Sequence, residues 1–393
     1  MSTVETSAQG QIARPNSLPS NPSFSSGPCP KRPGWSFDAV AKHAYMGRSH
    51  RAAGPKAQIA DVIARMHKTL ELPEGYLIGI MPASDTGAFE AAMWAMLGAR
   101  PVDAFAWESF SAGWVSDITK QLKLDDVNIH EAPYGELPDM SQARKDADLV
   151  LTWNGTTSGV RVPNGDFIAD DREGLTFVDA TSAVYAQDLP WNKIDVATFS
   201  WQKVLGGEGA HGVLILSPRA VERLESYTPA RPLPKIFRLT KGGKLIADIF
   251  TGATINTVSM MAIADALDAL LWVEDIGGLK AMQARANANF GALQAWVDSR
   301  DWIANLCDVP AHRSNTSVCL KLTDATLADD AAFAKAMVKF LDKEAAAYDL
   351  GSYRDAPAGL RIWCGATVET KDIEILTQWL DFAYATLKTN EGK

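Results

Sequence analysis

Val196-Ala-Thr-Phe-Ser-Trp-Gln-Lys203-Val-Leu-Gly-Gly-Glu-Gly209-Ala-His-Gly212 runs from one apolar stretch through a lysine and a glycine-rich loop into a second apolar stretch ending at Leu216. Short apolar runs rich in β-branched and aromatic residues, bounded by glycine or polar residues, predict buried strands at 196–200 and 212–216. Working outward, the same pattern recurs at 76–81, 103–107, 127–132, 148–153 and 175–179, which makes seven strands. Helical periodicity at 87–97 and 113–122 intervenes. Crossover connections of this kind predict an α/β fold: a mostly parallel seven-stranded sheet with both faces covered.

Beyond Leu216 the pattern changes. Helices are predicted at 256–273, 279–299, 327–341 and 371–387, with short strands at 317–322 and 359–364. This reads as a smaller α+β C-terminal domain after one long connecting helix. Residues 1–22 are rich in Ser, Asn, Gln and Pro and are expected to form a flexible extension. The expected division is therefore 1–22 extension, 23–273 large domain and 274–393 small domain. A chain of 393 residues with 47% hydrophobic and 22% charged content suits two such cores.

Composition also excludes several function classes. The net charge is −9 and no Lys/Arg run exceeds two residues, so neither a nucleic-acid groove nor an anionic membrane surface is an expected partner. The most apolar helical window, 257–273, contains Asp265 and Asp268 and is too polar for a bilayer span. The N-terminus lacks an apolar signal core. Cys29, Cys307, Cys319 and Cys364 are scattered without CxxC spacing, which predicts reduced thiols in a cytoplasmic protein. The six histidines form no HExxH or Cys/His cluster, so no metal is expected.

Three elements carry chemistry. Lys203 follows an apolar strand directly, at a position that suits a Schiff-base lysine, whose amine must be deprotonated at neutral pH by desolvation or nearby cations. The alternative is an ordinary loop lysine. Leu175-Thr-Phe-Val-Asp179 ends an apolar strand in an aspartate, the group needed to pair with the protonated pyridine nitrogen of pyridoxal phosphate; the plain reading is a turn cap. Pro82-Ala-Ser84-Asp85-Thr86-Gly87 lies between a strand and an amphipathic helix, where free amides form an anion site, although Ser84 or Asp85 also suits a simple N-cap. A hydroxyl cluster, Asn154-Gly-Thr156-Thr157-Ser158-Gly159, follows the strand 148–153. No Walker or dinucleotide motif is present.

Taken together with Phe24-Ser-Ser-Gly-Pro28, Ser49-His50-Arg51, Gln202-Lys203 and Asn256-Thr257, these segments resemble the fold-type I, class V pyridoxal-phosphate-dependent aminotransferases over about residues 23–390. The resemblance implies that Lys203 is the catalytic, cofactor-linked amine that shuttles a proton at the substrate Cα. It implies cofactor contacts from Asp179 to the ring nitrogen, Thr156 to the ring hydroxyl region, and Phe110 stacked on the ring face, with Trp114 the rival. Gln202, Asp85 and Thr86 would lie around the cofactor phosphate, and Asn256 and Thr257 would reach it from a second subunit, so a homodimer with shared sites is implied.

The implied reaction exchanges an amino group between glutamate and 3-phosphohydroxypyruvate, giving phosphoserine and 2-oxoglutarate in serine biosynthesis. Such substrates carry a carboxylate and a phosphate, so two cationic clamps are needed. Arg361 resembles the family's carboxylate arginine, and His50, Arg51 and Arg354 its phosphate cluster. Two departures stand out. The phosphate loop has no arginine, and Asp85 beside a phosphate would repel it unless its side chain turns away to cap the helix. Tyr353 replaces a histidine common before the second-domain arginine. Alternatives are a serine–pyruvate or alanine–glyoxylate type aminotransferase, a desulfurase, for which no cysteine lies in a suitable mobile loop, and a non-catalytic dimeric α/β binding protein.

Overall fold

The computed structural model describes residues 12–391. Its centre is a seven-stranded sheet of β1 (Leu77–Pro82), β2 (Val102–Ala106), β3 (Val127–Glu131), β4 (Asp148–Thr152), β5 (Thr176–Asp179), β6 (Val196–Ser200) and β7 (His211–Leu216). The spatial order is β1-β7-β6-β5-β4-β2-β3. β7 runs antiparallel to β1 and β6, while β6, β5, β4, β2 and β3 are parallel to one another. All seven expected strands are present within a residue or two of their predicted bounds.

Alternation along the strands divides the core. Ile78, Ile80, Leu149, Leu151, Phe199, Val213 and Ile215 face one layer, which includes α1 (Ala53–Thr69) and α5 (Met260–Asp275). Val150, Phe177, Val196, Leu214 and Leu216 face the other, which includes α2 (Ser84–Met96) and α3 (Ser109–Ser116). Each fully buried side chain of this size contributes about 1.5–3 kcal/mol. Because both sheet faces are covered, the strands read as continuous apolar runs.

The two edges of the sheet differ in chemistry. At the start of β4, Asp148 receives a two-pronged bond from Arg223 of α4 (Pro218–Ser226) at 2.8 and 3.1 Å. Asp195, just before β6, is bonded by Arg172, Arg219 and Ser217. These carboxylates are paired and serve architecture. At the opposite, C-terminal edge, Thr152, Asp179 and Thr198 stand in one register row. Ligands of open α/β sheets bind beyond that edge.

A close approach fixes one corner of it. A Cβ on Gly212 would lie 2.0 Å from the Ser84 carbonyl oxygen, so only glycine lets β7 pass the start of α2 at this distance. Gly212→Ala must push that backbone away. Thermal and denaturant unfolding should show a loss of about 1–3 kcal/mol, the usual cost of overpacking; unchanged stability would contradict this packing.

The C-terminal part comprises α6 (Gly278–Val297), β8 (Ile303–Asn305), β9 (Ser317–Leu322), α7 (Asp330–Lys343), β10 (Leu360–Trp363) and α8 (Thr370–Glu391), with β8, β9 and β10 forming an antiparallel sheet. The expected boundary at residue 273 falls within the last turn of α5, and the break follows at Ile276 and Gly277, whose φ is +111°. The helix predicted at 113–122 begins earlier, at Ser109, because Glu108 caps it and accepts from Ser111 N. A further correction concerns the N-terminal segment: from Ile12 onward it is tied down, and only residues 1–11 of the expected extension lie outside the described residues. Ser20 donates through N and Oγ to Asp372, Trp379 Nε1 donates to Ser17 O, and Tyr348 N donates to Pro22 O. Polar composition concealed this because the bonds are supplied by distant elements. Among the described residues, no helix is long and apolar enough to cross a membrane.

Candidate active site

β6 leads into Trp201, whose buried indole Nε1 lies 3.5 Å from Met66 Sδ. The chain then turns tightly, with Gly206 N donating to Lys203 O at 2.9 Å and Gly207 N to Trp201 O at 2.8 Å. Gly206 has φ +64°, and a Cβ there would meet Pro30 O at 2.3 Å. This turn delivers Lys203 to a cavity of about 370 Å³ whose lining includes Gly27, Ser84, Asp85, Thr86, Phe110, Trp114, Thr152, Thr156, Asp179, Thr181, Ser200 and Gln202. The lysine is buried, and its Nζ donates to the Ser26 carbonyl. Burial pushes its pKa down and Arg361 adds to that, while Asp179 and Glu108 oppose it. The amine is thus shifted toward the neutral, nucleophilic form.

Asp179 ends β5, and both its oxygens are engaged. Trp114 Nε1 donates to Oδ2 at 3.1 Å and Thr181 N to Oδ1 at 3.1 Å. Trp114 in turn packs on Phe89, ring centroids 4.7 Å apart. Asp85 lies beside it, its carboxyl against that of Asp179 with the hydroxyls of Thr181 and Thr198 nearby; burial, first, and Asp179, second, drive the Asp85 pKa well up. The expectation that Asp85 caps its helix fails. α2 has no side-chain cap, because Ala83 and Ser84 take left-handed φ of +64° and +52° and the carboxyl turns inward. Left-handed backbone costs a non-glycine residue roughly 1 kcal/mol or more, and such strain concentrates at functional sites.

That turn also shapes the start of α2. Ser84 N donates to Ala210 O and Gly87 N to Ala83 O, which leaves the Asp85 and Thr86 amides at the cavity. On the facing side Thr156 Oγ1 lies 2.8 Å from Ser182 Oγ, and its carbonyl accepts from Ser317 Oγ of β9 at 2.6 Å. Thr157 bonds the buried Glu108 at 2.7 Å. Phe110 stands at the mouth, 38% exposed, its ring 5.5 Å from Tyr353.

Arg361, on β10, comes close enough to Lys203 and Cys29 to act on both electrostatically. Its guanidinium lies 5.7 Å from the Tyr353 ring centre, and its buried Nε has no partner among the described residues. Arg354 is solvent-exposed and ion-paired with Asp355 at 3.4 Å. His50, Arg51, Asn256 and Thr257 are not among the residues lining this chain's cavity. His50 is buried with Nε2 unpartnered, and Arg51 is exposed. The structure therefore gathers Lys203, Asp179, Asp85, Thr86, Phe110, Thr156 and Gln202 in one cavity, with Arg361 at its side.

Sequence reasoning quoted Ser26 and Gly27 within Phe24–Pro28 but gave them no role, and it singled out neither Thr152, Thr181 nor Ser200. Ser26 acts through its carbonyl, which no side-chain pattern reveals. Gly27 leaves room for the amine: a Cβ there would lie 2.3 Å from Lys203 Nζ and displace it. The hydroxyl residues were legible only as strand-end positions beside Asp179.

A family model described as aminotransferase class-V matches residues 119–367. The chain belongs to the class-V aminotransferases. Within that family it is 57% identical over 377 residues to the phosphoserine aminotransferase of Methanosarcina barkeri, covering 95% of this chain and 100% of that one. Among solved structures it resembles the phosphoserine aminotransferase of Trichomonas vaginalis, described as PLP bound, with TM-score 0.73 and 20% identity over 91% of this chain and 98% of that one. It equally resembles an alanine–glyoxylate aminotransferase of Nostoc sp., with TM-score 0.77 and 17% identity over 96% and 98%. Identities this low speak to the fold alone.

The residues present fit pyridoxal phosphate. Thr152 Oγ1, Thr181 Oγ1, Ser200 Oγ, Gln202 Oε1 and Asp85 Oδ1 are buried polar atoms without a protein partner, and their residues all line the cavity. Unpartnered polar atoms are costly when buried, so their concentration around Lys203 and Asp179 suits a polar, phosphorylated ring.

Proposed function

We propose that this chain is a pyridoxal-phosphate-dependent phosphoserine aminotransferase, exchanging an amino group between glutamate and 3-phosphohydroxypyruvate to give phosphoserine and 2-oxoglutarate. The observation that carries the reading is the buried amine of Lys203 opposite the strand-end carboxylate of Asp179 in one cavity. The choice of substrate is supported by the 57% identity over nearly the whole chain.

Pyridoxal phosphate, when bound, supplies an electron sink for the bond that breaks at the substrate Cα. Asp179 would hold the ring nitrogen. The Asp85 and Thr86 amides and Gln202 would hold the phosphate at the start of α2. Thr156 would bound the ring hydroxyl region, and Phe110, at the mouth, would cover the ring face and keep water out. Lys203, shifted toward the neutral amine by burial, would take the Cα proton on Nζ and return it to the product. Its bond to the Ser26 carbonyl orients the amine.

Arg361 would clamp the α-carboxylate with its free Nε, and His50, Arg51 and Arg354 would receive the phosphate or the glutamate side chain. Because His50, Arg51, Asn256 and Thr257 stand outside their own chain's cavity, we assign them to a second copy's site, hence to a homodimer with shared sites. The exposed apolar side chains Phe37, Met46 and Leu271 support such an interface. The four free, buried thiols support a reducing compartment, the cytoplasm. Two domains, divided near residue 273, would carry the cofactor and the carboxylate clamp respectively.

The test is an assay of the pure protein with glutamate and 3-phosphohydroxypyruvate, pyruvate or glyoxylate. The phosphorylated acceptor should be preferred in kcat/KM by about 100-fold or more, given the strength of charge-assisted phosphate bonds. Comparable rates with pyruvate or glyoxylate would overturn the substrate reading.

A further inference from the structure

The backbone amide of Asp85 has been assigned to the cofactor phosphate, but its carboxyl has been given no role. The residue lies in the first turn of α2, buried, with its carboxyl against that of Asp179. Resting on the assignment of Asp179 to the ring nitrogen, we propose that Asp85 is a positioning residue: it keeps its own proton and lends it to Asp179, so that the buried pair presents one negative charge to the ring nitrogen.

The geometry leaves little choice. Among the described residues, neither carboxyl is ion-paired with an arginine or lysine. The groups that face the pair are Lys203, whose amine is shifted toward neutrality; Glu108, itself buried and pushed upward in pKa; and His211 of β7, beside Ser84, whose Nε2 accepts from Ser259 N at 3.0 Å. None is an adjacent fixed cation. Two carboxylates in contact without one cannot both ionise, and the pair retains a proton.

The donors decide which member keeps it. Both Asp179 oxygens accept from N–H groups that cannot accept in turn, Trp114 Nε1 and Thr181 N, whereas the Asp85 carboxyl lies beside the Thr181 and Thr198 hydroxyls, which can accept a proton's hydrogen bond as well as donate one. Burial and the Asp179 charge raise the Asp85 pKa accordingly. The retained proton makes Asp85 a hydrogen-bond donor where an acceptor would repel.

The sign of the pH effect follows. A carboxyl whose folded pKa is raised contributes stability fully present below its unfolded value, near 4, and lost as pH rises through the folded value. In the cofactor-free chain, Asp85→Asn keeps a donor toward Asp179 but cannot ionise. Its unfolding midpoint should therefore exceed that of the wild type by a margin that widens from pH 5 to pH 9.

The decisive measurement is a 13C NMR titration of the cofactor-free wild type labelled at the aspartate Cγ. One carboxyl should titrate above the ordinary aspartate range, as a shared carboxyl site requires. That resonance should vanish in Asp85→Asn and, should the amide variant fold poorly, in Asp85→Thr. Titration with pyridoxal phosphate should show affinity retained within about threefold in Asp85→Asn and weakened about tenfold or more in Asp85→Ala, the loss of one charged hydrogen bond. If every aspartate titrates in the ordinary range while the wild type takes up pyridoxal phosphate, this proposal fails alone. If the raised carboxyl is present and the wild type does not take up pyridoxal phosphate, the functional reading fails instead.

Discussion

Lys203→Ala is expected to lower turnover by about 10²–10⁴-fold, the range supplied by a positioned proton-transfer group, with a further loss because the cofactor is no longer tethered. The fold should survive. Among the described residues the Lys203 amine makes one hydrogen bond, to the Ser26 carbonyl, and its ammonium form is disfavoured by burial. A base whose folded pKa is lowered contributes stability present above its unfolded value and lost as pH falls through the folded one. Removing the amine should therefore flatten the acid limb of the stability profile as it abolishes activity. Steady-state kinetics and unfolding curves between pH 5 and pH 9 check both halves. Retained turnover would remove Lys203 from the reaction; a collapsed fold would show that the side chain is structural.

Arg361→Ala is the second large effect. The guanidinium rests near the Tyr353 ring with Nε unpartnered, so its deletion breaks no ion pair among the described residues. What it removes is the proposed two-pronged clamp on the α-carboxylate. Charge-assisted bonds contribute about 1.5–3 kcal/mol each, so kcat/KM for glutamate should fall by about 100-fold or more. Most of the loss should appear as raised KM. Arg361→Lys should recover only part of it, since an ammonium cannot reproduce the planar fork. Both amino donors and oxo acceptors share the carboxylate, so all substrates should be affected alike. An effect confined to the phosphorylated substrates would move Arg361 to the phosphate site.

The large sheet was legible because burial on both faces turns its strands into unbroken apolar runs, and Lys203 and Asp179 were legible because each ends such a run. β8, at three residues, is too short to register as a pattern. The N-terminal segment was misread because its anchors, Asp372 and Trp379, lie more than 350 residues away. Asp85 was correctly placed at the start of a helix, yet its direction depended on the left-handed pair Ala83–Ser84, which contradicts local preference for both residues. The Ser26 carbonyl that holds the Lys203 amine is a backbone group in a loop, invisible to any reading of side chains. His50, Arg51, Asn256 and Thr257 present a different limit: a residue proposed to serve a second copy has no partner within its own fold.

The central claim is that one cavity accepts an amino group from glutamate and passes it to a phosphorylated oxo acid. The most direct test is the visible spectrum of the chain reconstituted with pyridoxal phosphate, followed through one equivalent of each substrate in turn. Glutamate alone should replace the initial absorption band, and 3-phosphohydroxypyruvate should then restore it, whereas an equal amount of pyruvate should restore little. A band indifferent to glutamate, or restored as fully by pyruvate as by 3-phosphohydroxypyruvate, would contradict the account.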